Sequence, residues 1–384
     1  MIKNRNGNAG KRDDVALAGY ATAQGTRRYH DRMVASGVAH PEHFKDGLDG
    51  LSLSSTGLGT YLGGHDALTD GLYFSAIKQA LVSGCNVVDS AINYRCMRSE
   101  RVIGAALSEL VHESTVARDE ILISTKGGFI PYDGMPPRDP QAYLQQAFVM
   151  PGIMQADDVV AECHCMAPAY LQHQLKASLS NLGLSCIDVY YLHNPELQLD
   201  HISPAEFRSR MREAFAVLET AVAQQHIRVY GTATWEGYRT KIGSRGHLSL
   251  ETLVKIAEEV GGKDNHFKAI QLPYNLGMPE ALAEQTQTLN GSPVSFLEAA
   301  KALGLYVMAS AAILQGQLTR ALPDQIREGL GHGTDAQRSI QFVRSTPGMG
   351  TALIGMKQAD HVRENLAVAA RAPLSYEQFA TLFR

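Results

Sequence analysis

The order and spacing of apolar runs along this 384-residue chain predict a (β/α)8 barrel. Three observations lead there. From about residue 50 onward, short β-rich runs alternate with stretches whose apolar residues recur at three- and four-residue spacing. Most of the β-rich runs are continuously apolar, as expected when both faces of a parallel sheet are covered. Eight such units over roughly 330 residues match the size of one barrel.

Taken in order, the strand candidates are STGLGTY near 55–61, NVVDS near 86–90, ILIST near 121–125 and DVYYLH near 188–193. They continue with IRVYGTA near 227–233, KAIQL near 268–272, LYVMAS near 305–310 and TALIG near 351–355. The clearest helical patterns run from Tyr73 to Leu81, Tyr170 to Leu182, Phe207 to Val222 and Leu250 to Val260. A doubly wound sheet uses the same alternation, but it normally carries Gly-x-Gly-x-x-Gly after its first strand. Here that region reads GLGTYLGG, without the third glycine at the required spacing.

Two segments fall outside the repeat. Residues 1–50 form an N-terminal extension, polar and expected to be disordered at its start. Its later motifs, RRYHDRM and HPEHFKDGL, read as short helices that close the bottom of the barrel or pack on its side. The barrel proper spans 51–384, with a loop insertion at 127–168. Forty residues without a clear period is long for a βα loop, and long loops in compact domains are often functional. Leaving the strand that ends at Lys126, the insertion is expected to cover the catalytic face as a lid, with Phe129 and Ile130 on its apolar underside.

Active sites of (β/α)8 barrels form at the C-terminal ends of the strands. Asp89 closes CNVVDS, Lys126 closes ILISTK and His193 closes DVYYLH, while Tyr94 follows Asp89 by five residues. A tyrosine hydroxyl can protonate a carbonyl oxygen, but its reference pKa near ~10 makes transfer slow in both directions at neutral pH. A neighbouring ammonium stabilises the phenolate. Lys126 supplies that ammonium, Asp89 its counter-charge, and His193 a hydrogen bond to orient the substrate oxygen. Singly, each residue has a structural explanation: helix cap, solvated lysine, core histidine. Their joint occurrence at successive strand ends points to carbonyl–alcohol chemistry.

The set resembles the catalytic tetrad of the aldo-keto reductases, on the motifs D-x4-Y, STK and LHNP, over about residues 50–370. The resemblance implies a nicotinamide cofactor. It assigns Gly59, Thr60 and Tyr61 to the cofactor-contacting turn, Gln271 to the carboxamide, Ser310 to the diphosphate, and Lys357, Glu364 and Asn365 to the adenosine end. Four positions depart from the family pattern. Ala233 and Thr234 replace a carboxamide-binding Ser-Asn pair, Ala309 replaces a stacking tyrosine, and His361 stands where an arginine commonly grips the 2′-phosphate. Lys357 favours NADPH, with NADH as the alternative. On the substrate side the candidates are Tyr61, Ile130, His164 and Trp235, the last being the only tryptophan of the chain.

The resulting expectation is an NAD(P)H-dependent oxidoreductase that interconverts a carbonyl and an alcohol on an aldehyde, ketone or sugar-type substrate. The long insertion favours a substrate larger than a simple aldehyde. The alternative is an NADPH-binding regulatory module with little turnover. A net charge of −4 argues against nucleic acid, and no apolar run approaches the ~20 residues of a membrane span. Five cysteines in so long a chain point to a reducing compartment, so the cytoplasm is expected. Cys163-His164-Cys165 lacks the spacing and the second ligand pair of a thiolate zinc site, and no metal is expected.

Overall fold

A computed structural model describes residues 16–331 and 333–383. The start of the N-terminal extension, expected to be disordered, lies outside the described residues. Eight parallel strands close into a barrel in sequence order. They are Thr56–Gly59, Val87–Asp89, Leu122–Gly127, Ile187–His193, Ile227–Ala233, Phe267–Pro273, Tyr306–Ser310 and Thr351–Gly355, the last pairing back onto the first. The helices that return the chain include Ala67–Leu81, Arg98–His112, Pro168–Leu182, Pro204–Ala223 and Leu250–Gly261. The protein is a (β/α)8 barrel.

The uninterrupted apolar strands are explained by two cores meeting at one sheet. Val87, Leu122, Val189, Tyr191, Ala269 and Met308 point into the barrel. Their neighbours Val88, Ile123, Tyr190, Ile270 and Val307 point out against the helices. Each strand therefore buries both faces, which removes the polar alternation seen where one face meets water.

Among the described residues, the chain ahead of the first strand makes one α-helix, Ala23–Ala35, capped by the Thr22 side chain on the Gly25 amide. RRYHDRM lies within it. HPEHFKDGL departs from the expected helix. After a single turn at Pro41–His43 it becomes extended at Phe44–Asp46 and pairs antiparallel with Ser52–Ser54. The proline starts a turn, but Phe44 is more useful packed as a strand residue among Tyr29 and the neighbouring core. Leu48, Leu51 and Leu53 of this hairpin join the barrel-interior cluster and plug the N-terminal end.

One buried polar knot ties this extension to the barrel. Asp188, at the start of the fourth strand, accepts from the Ala21 amide (2.6 Å), the Ile123 amide (2.8 Å) and the Arg118 guanidinium (2.7 Å). Both charged side chains are almost fully buried. Asp188→Ala leaves Arg118 without its counter-charge, which should cost about 3–5 kcal/mol. Urea denaturation measures this, and a loss below about 1 kcal/mol would refute the role.

Residues 127–168 do not cover the barrel mouth as a lid. The chain turns outward at Gly128 (φ 135°), makes the short helix Pro140–Leu144, continues in a wider turn at Gln145–Val149, and builds its own small core. Ile130, Leu144, Phe148, Met154 and Cys165 pack there against Tyr170 of the outer helix Pro168–Leu182. Phe148 meets Tyr170 edge-on at 5.5 Å. Of the side chains that suited a lid's underside, Ile130 is buried sideways in this small core and only Phe129 lines the cavity at the mouth.

Candidate active site

Asp89 ends the second strand beside the third, in register with Ser124. Its Oδ1 accepts from the Ser124 hydroxyl (2.7 Å) and the Gln271 amide (2.8 Å), and its Oδ2 accepts from Lys126 Nζ at 2.6 Å. Lys126 is fully buried and donates a second bond to the Ser90 carbonyl at 2.6 Å. Its ammonium lies 4.8 Å from the centroid of the Tyr94 ring. His193, ending the fourth strand, meets that ring edge-on at 5.8 Å. The fold thus gathers Asp89, Tyr94, Lys126 and His193 at adjacent strand ends.

Burial dominates the electrostatics of this group. It lowers the Lys126 pKa, and the Asp89 carboxylate opposes that shift by its charge and its hydrogen bond. It holds the Tyr94 hydroxyl well above the ordinary phenol value, helped by the Asp89 charge and by Tyr61. The tyrosine pKa, expected to fall beside an ammonium, is instead raised in this structure, because desolvation of the phenolate dominates. His193 is held well below its usual value by burial, then by Lys126 and His164. At neutral pH the site presents a protonated tyrosine and an uncharged imidazole.

A cavity of about 780 Å³ opens from this group toward the end of the eighth strand. Asp89, Tyr94 and His193 line it, together with Gly59, Thr60, Tyr61, Gln271, Ser310, Lys357, Glu364, Asn365 and Trp235. Lys126 lies behind Asp89 rather than on the wall. Of the departing positions, Ala233, Thr234 and His361 also face the cavity. Arg363 is paired with Asp360 on its own helix. Three cavity-lining residues have buried polar atoms without a partner: Asn93 Oδ1, His193 Nδ1 and Thr234 Oγ1. A polar ligand at this end would satisfy such atoms, which are costly to leave unpaired.

Two substrate-side candidates are misplaced. Ile130 belongs to the satellite core described above, its side chain drawn away from the mouth. His164 is fully buried behind the catalytic wall. Its Nε2 donates to the His193 carbonyl at 2.7 Å, and its Nδ1 accepts from Gln198 at 3.0 Å. Burial lowers its pKa to about 4, so it supports the His193 backbone as a neutral ring.

Some functional positions had weak or no signals in the sequence. Asn93, Asn194 and Leu62 line the cavity, and only Asn93 was traceable, as the neighbour of Tyr94 in the D-x4-Y motif. Strained backbone gathers at the same mouth. Asn194, Ala311 and Gln315 line the cavity at φ 47°, 53° and 52°, and Arg95, Cys96 and Met97 follow Tyr94 at 50°, 56° and 67°. Left-handed non-glycine residues carry a cost that tends to be retained at functional sites.

Residues 55–241 match the model of the aldo/keto reductase family. The NADH-specific methylglyoxal reductase of Escherichia coli is 27% identical over 194 residues, covering 49% of this chain and 50% of that protein. The match thus spans about half the length of that relative. An aldo/keto reductase of Klebsiella pneumoniae solved with NADP and acetate superposes with a TM-score of 0.59 at 20% identity, over 89% of this chain and 94% of that one. A Bacillus halodurans aldo-keto reductase in its holo form gives 0.60 at 18% identity, over 89% and 95%. At these identities the two structures speak for the fold. Among the described residues no helix is long and apolar enough to cross a membrane.

Proposed function

We propose, from the match of residues 55–241 to the aldo/keto reductase family, that the chain is an NAD(P)H-dependent oxidoreductase interconverting a carbonyl and an alcohol. The observation that carries the reading is the buried Lys126–Asp89 pair, 2.6 Å long, whose ammonium lies 4.8 Å from the centre of the cavity-lining Tyr94 ring. A bound nicotinamide supplies or takes the hydride. Tyr94, kept protonated by burial, donates its hydroxyl proton to the carbonyl oxygen. Lys126, whose ammonium form Asp89 favours against burial, then faces the phenolate. Neutral His193 offers a hydrogen bond to the same oxygen and leaves no competing charge there. In reverse, the phenolate takes the alcohol proton.

Steady-state assays with both nicotinamides against a panel of aldehydes, ketones and sugar alcohols test this. Cofactor binding without turnover across the panel would replace the reading with that of a binding module.

The cofactor proposed is NADPH, with NADH as the alternative. Gly59, Thr60, Tyr61, Gln271 and Ser310 would hold its reactive half and Lys357, Glu364 and Asn365 its adenosine half. The Escherichia coli relative is NADH-specific by name, while the Klebsiella structure holds NADP. Lys357 lines the cavity just past the eighth strand, and Arg363 on the helix that follows is already engaged by Asp360. Lys357→Ala should weaken NADPH roughly tenfold, the worth of one charge-assisted hydrogen bond, and leave NADH nearly unchanged. Titrations following cofactor fluorescence decide it. Equal losses for both cofactors, or a wild-type preference for NADH, would remove Lys357 from this role.

A further inference from the structure

Behind the mouth lies an acidic side chain that the chemistry above does not use. Glu196, two residues past Asn194 in the turn after the fourth strand, is almost fully buried. Its Oε1 accepts from three successive backbone amides of the turn after the fifth strand: Trp235 (2.7 Å), Glu236 (3.1 Å) and Gly237 (3.4 Å). Its other oxygen is buried without a partner. Burial raises the carboxyl's pKa, and the three amides oppose that shift.

The same turn is gripped from its far side. Arg239 Nη1 donates to the Trp235 carbonyl at 3.1 Å, and Arg239 is itself held by Glu280 through bonds of 2.7 and 3.1 Å. Both backbone polar groups of Trp235 are therefore engaged by side chains, one of them almost fully buried and the other held by Glu280. Packing also limits the turn, since a Cβ on Gly237 would meet Leu248 at 2.7 Å. Yet the indole is 41% exposed and lines the cavity, which also has Tyr61, Leu62, Tyr94 and Phe129 on its walls. A large aromatic ring held half in water, with its backbone clamped, is unusual if packing alone accounts for it. The arrangement keeps a flat apolar face at the mouth at little cost in ordering when a ligand binds.

We propose that Glu196 is a positioning residue which, with Arg239, fixes the Trp235 backbone so that its indole serves as a preset platform for a planar aromatic or conjugated carbonyl substrate. This deepens the oxidoreductase reading of the same cavity and rests on it. The substrate ring lies against the indole face while its carbonyl reaches Tyr94. Small aliphatic carbonyls gain nothing from the platform.

Trp235 is the only tryptophan, so intrinsic fluorescence reports on this one side chain. Glu196→Ala in the full chain should lower the emission anisotropy and raise acrylamide quenching, whereas Glu196→Gln, whose amide oxygen still accepts, should resemble wild type. With 2-naphthaldehyde, Glu196→Ala should raise KM roughly three- to tenfold, the share of one aromatic contact, with little change in kcat. Methylglyoxal should show no such rise in KM. Arg239→Ala should move anisotropy and the naphthaldehyde KM the same way, and it decides the matter if Glu196→Ala does not fold. Wild-type anisotropy and quenching in the Ala variants would overturn the clamp. A parallel rise in KM for both aldehydes would reduce Glu196 to a general structural role and overturn the specificity. Binding of 2-naphthoate, read by Trp235 quenching, needs no turnover. If neither aldehyde is reduced but naphthoate binds wild type several-fold tighter than Glu196→Ala, the platform stands and the oxidoreductase reading fails.

Discussion

Tyr94→Phe should abolish most turnover while leaving the nicotinamide affinity nearly intact. The substitution keeps the ring, and with it the edge contacts to Tyr61 at 5.0 Å and His193 at 5.8 Å, but removes the transferable proton. Loss of a positioned general acid typically costs roughly 10²–10⁴-fold. Single-turnover kinetics with cofactor in excess separates this from binding. A variant that keeps more than about a tenth of the wild-type rate, against that usual share, would exclude Tyr94 as the acid. The raised tyrosine pKa adds a pH signature. In the reductive direction the donor stays protonated through neutral and mildly basic solution, so no alkaline decline assignable to Tyr94 should appear there.

Lys126→Met should damage both catalysis and stability, and the two effects can be separated. The variant removes the ammonium that faces the Tyr94 ring, so turnover should fall by a factor comparable to that of Tyr94→Phe. It also leaves Asp89 Oδ2 buried without its 2.6 Å partner, and breaking a buried pair from one side costs about 3–5 kcal/mol. Adding Asp89→Asn removes the stranded charge, while the new amide oxygen still accepts from Ser124 and Gln271. The double variant should therefore regain part of the lost stability in urea denaturation and none of the turnover. If it unfolds as readily as Lys126→Met alone, the stability cost does not come from the stranded carboxylate. If it regains turnover, the ammonium is not part of the proton-transfer machinery.

Most of the barrel could be read before any coordinates. Val87 and Val88, or Leu122 and Ile123, are apolar in succession because one faces the interior and the next the helices. That pattern leaves few alternatives for a chain with eight such runs. Strand ends were legible for the same reason, so Asp89, Lys126 and His193 were traceable as polar residues terminating apolar runs. The expectation for Ile130 and the lid failed because an apolar residue without a period carries no direction. Phe148 and Met154 could cover a cavity or an outer helix equally well, and Tyr170 offered the better-packed partner.

Element types, their order and the residue types available at the barrel mouth follow from periodicity and local chemistry, so the chain alone carries them. Distances and the degree of burial come from how the closed barrel packs. Desolvation reverses the direction of the Tyr94 shift expected from Lys126, because its size depends on every neighbouring atom and not on adjacency in the chain. It also turns His164 from a rim residue into a support for His193. Glu196 had no signal at all, since the amides it accepts from belong to residues 235–237, some forty positions away in the chain. Backbone hydrogen bonds to a buried carboxylate depend on where two loops meet, and only the closed barrel brings these two together.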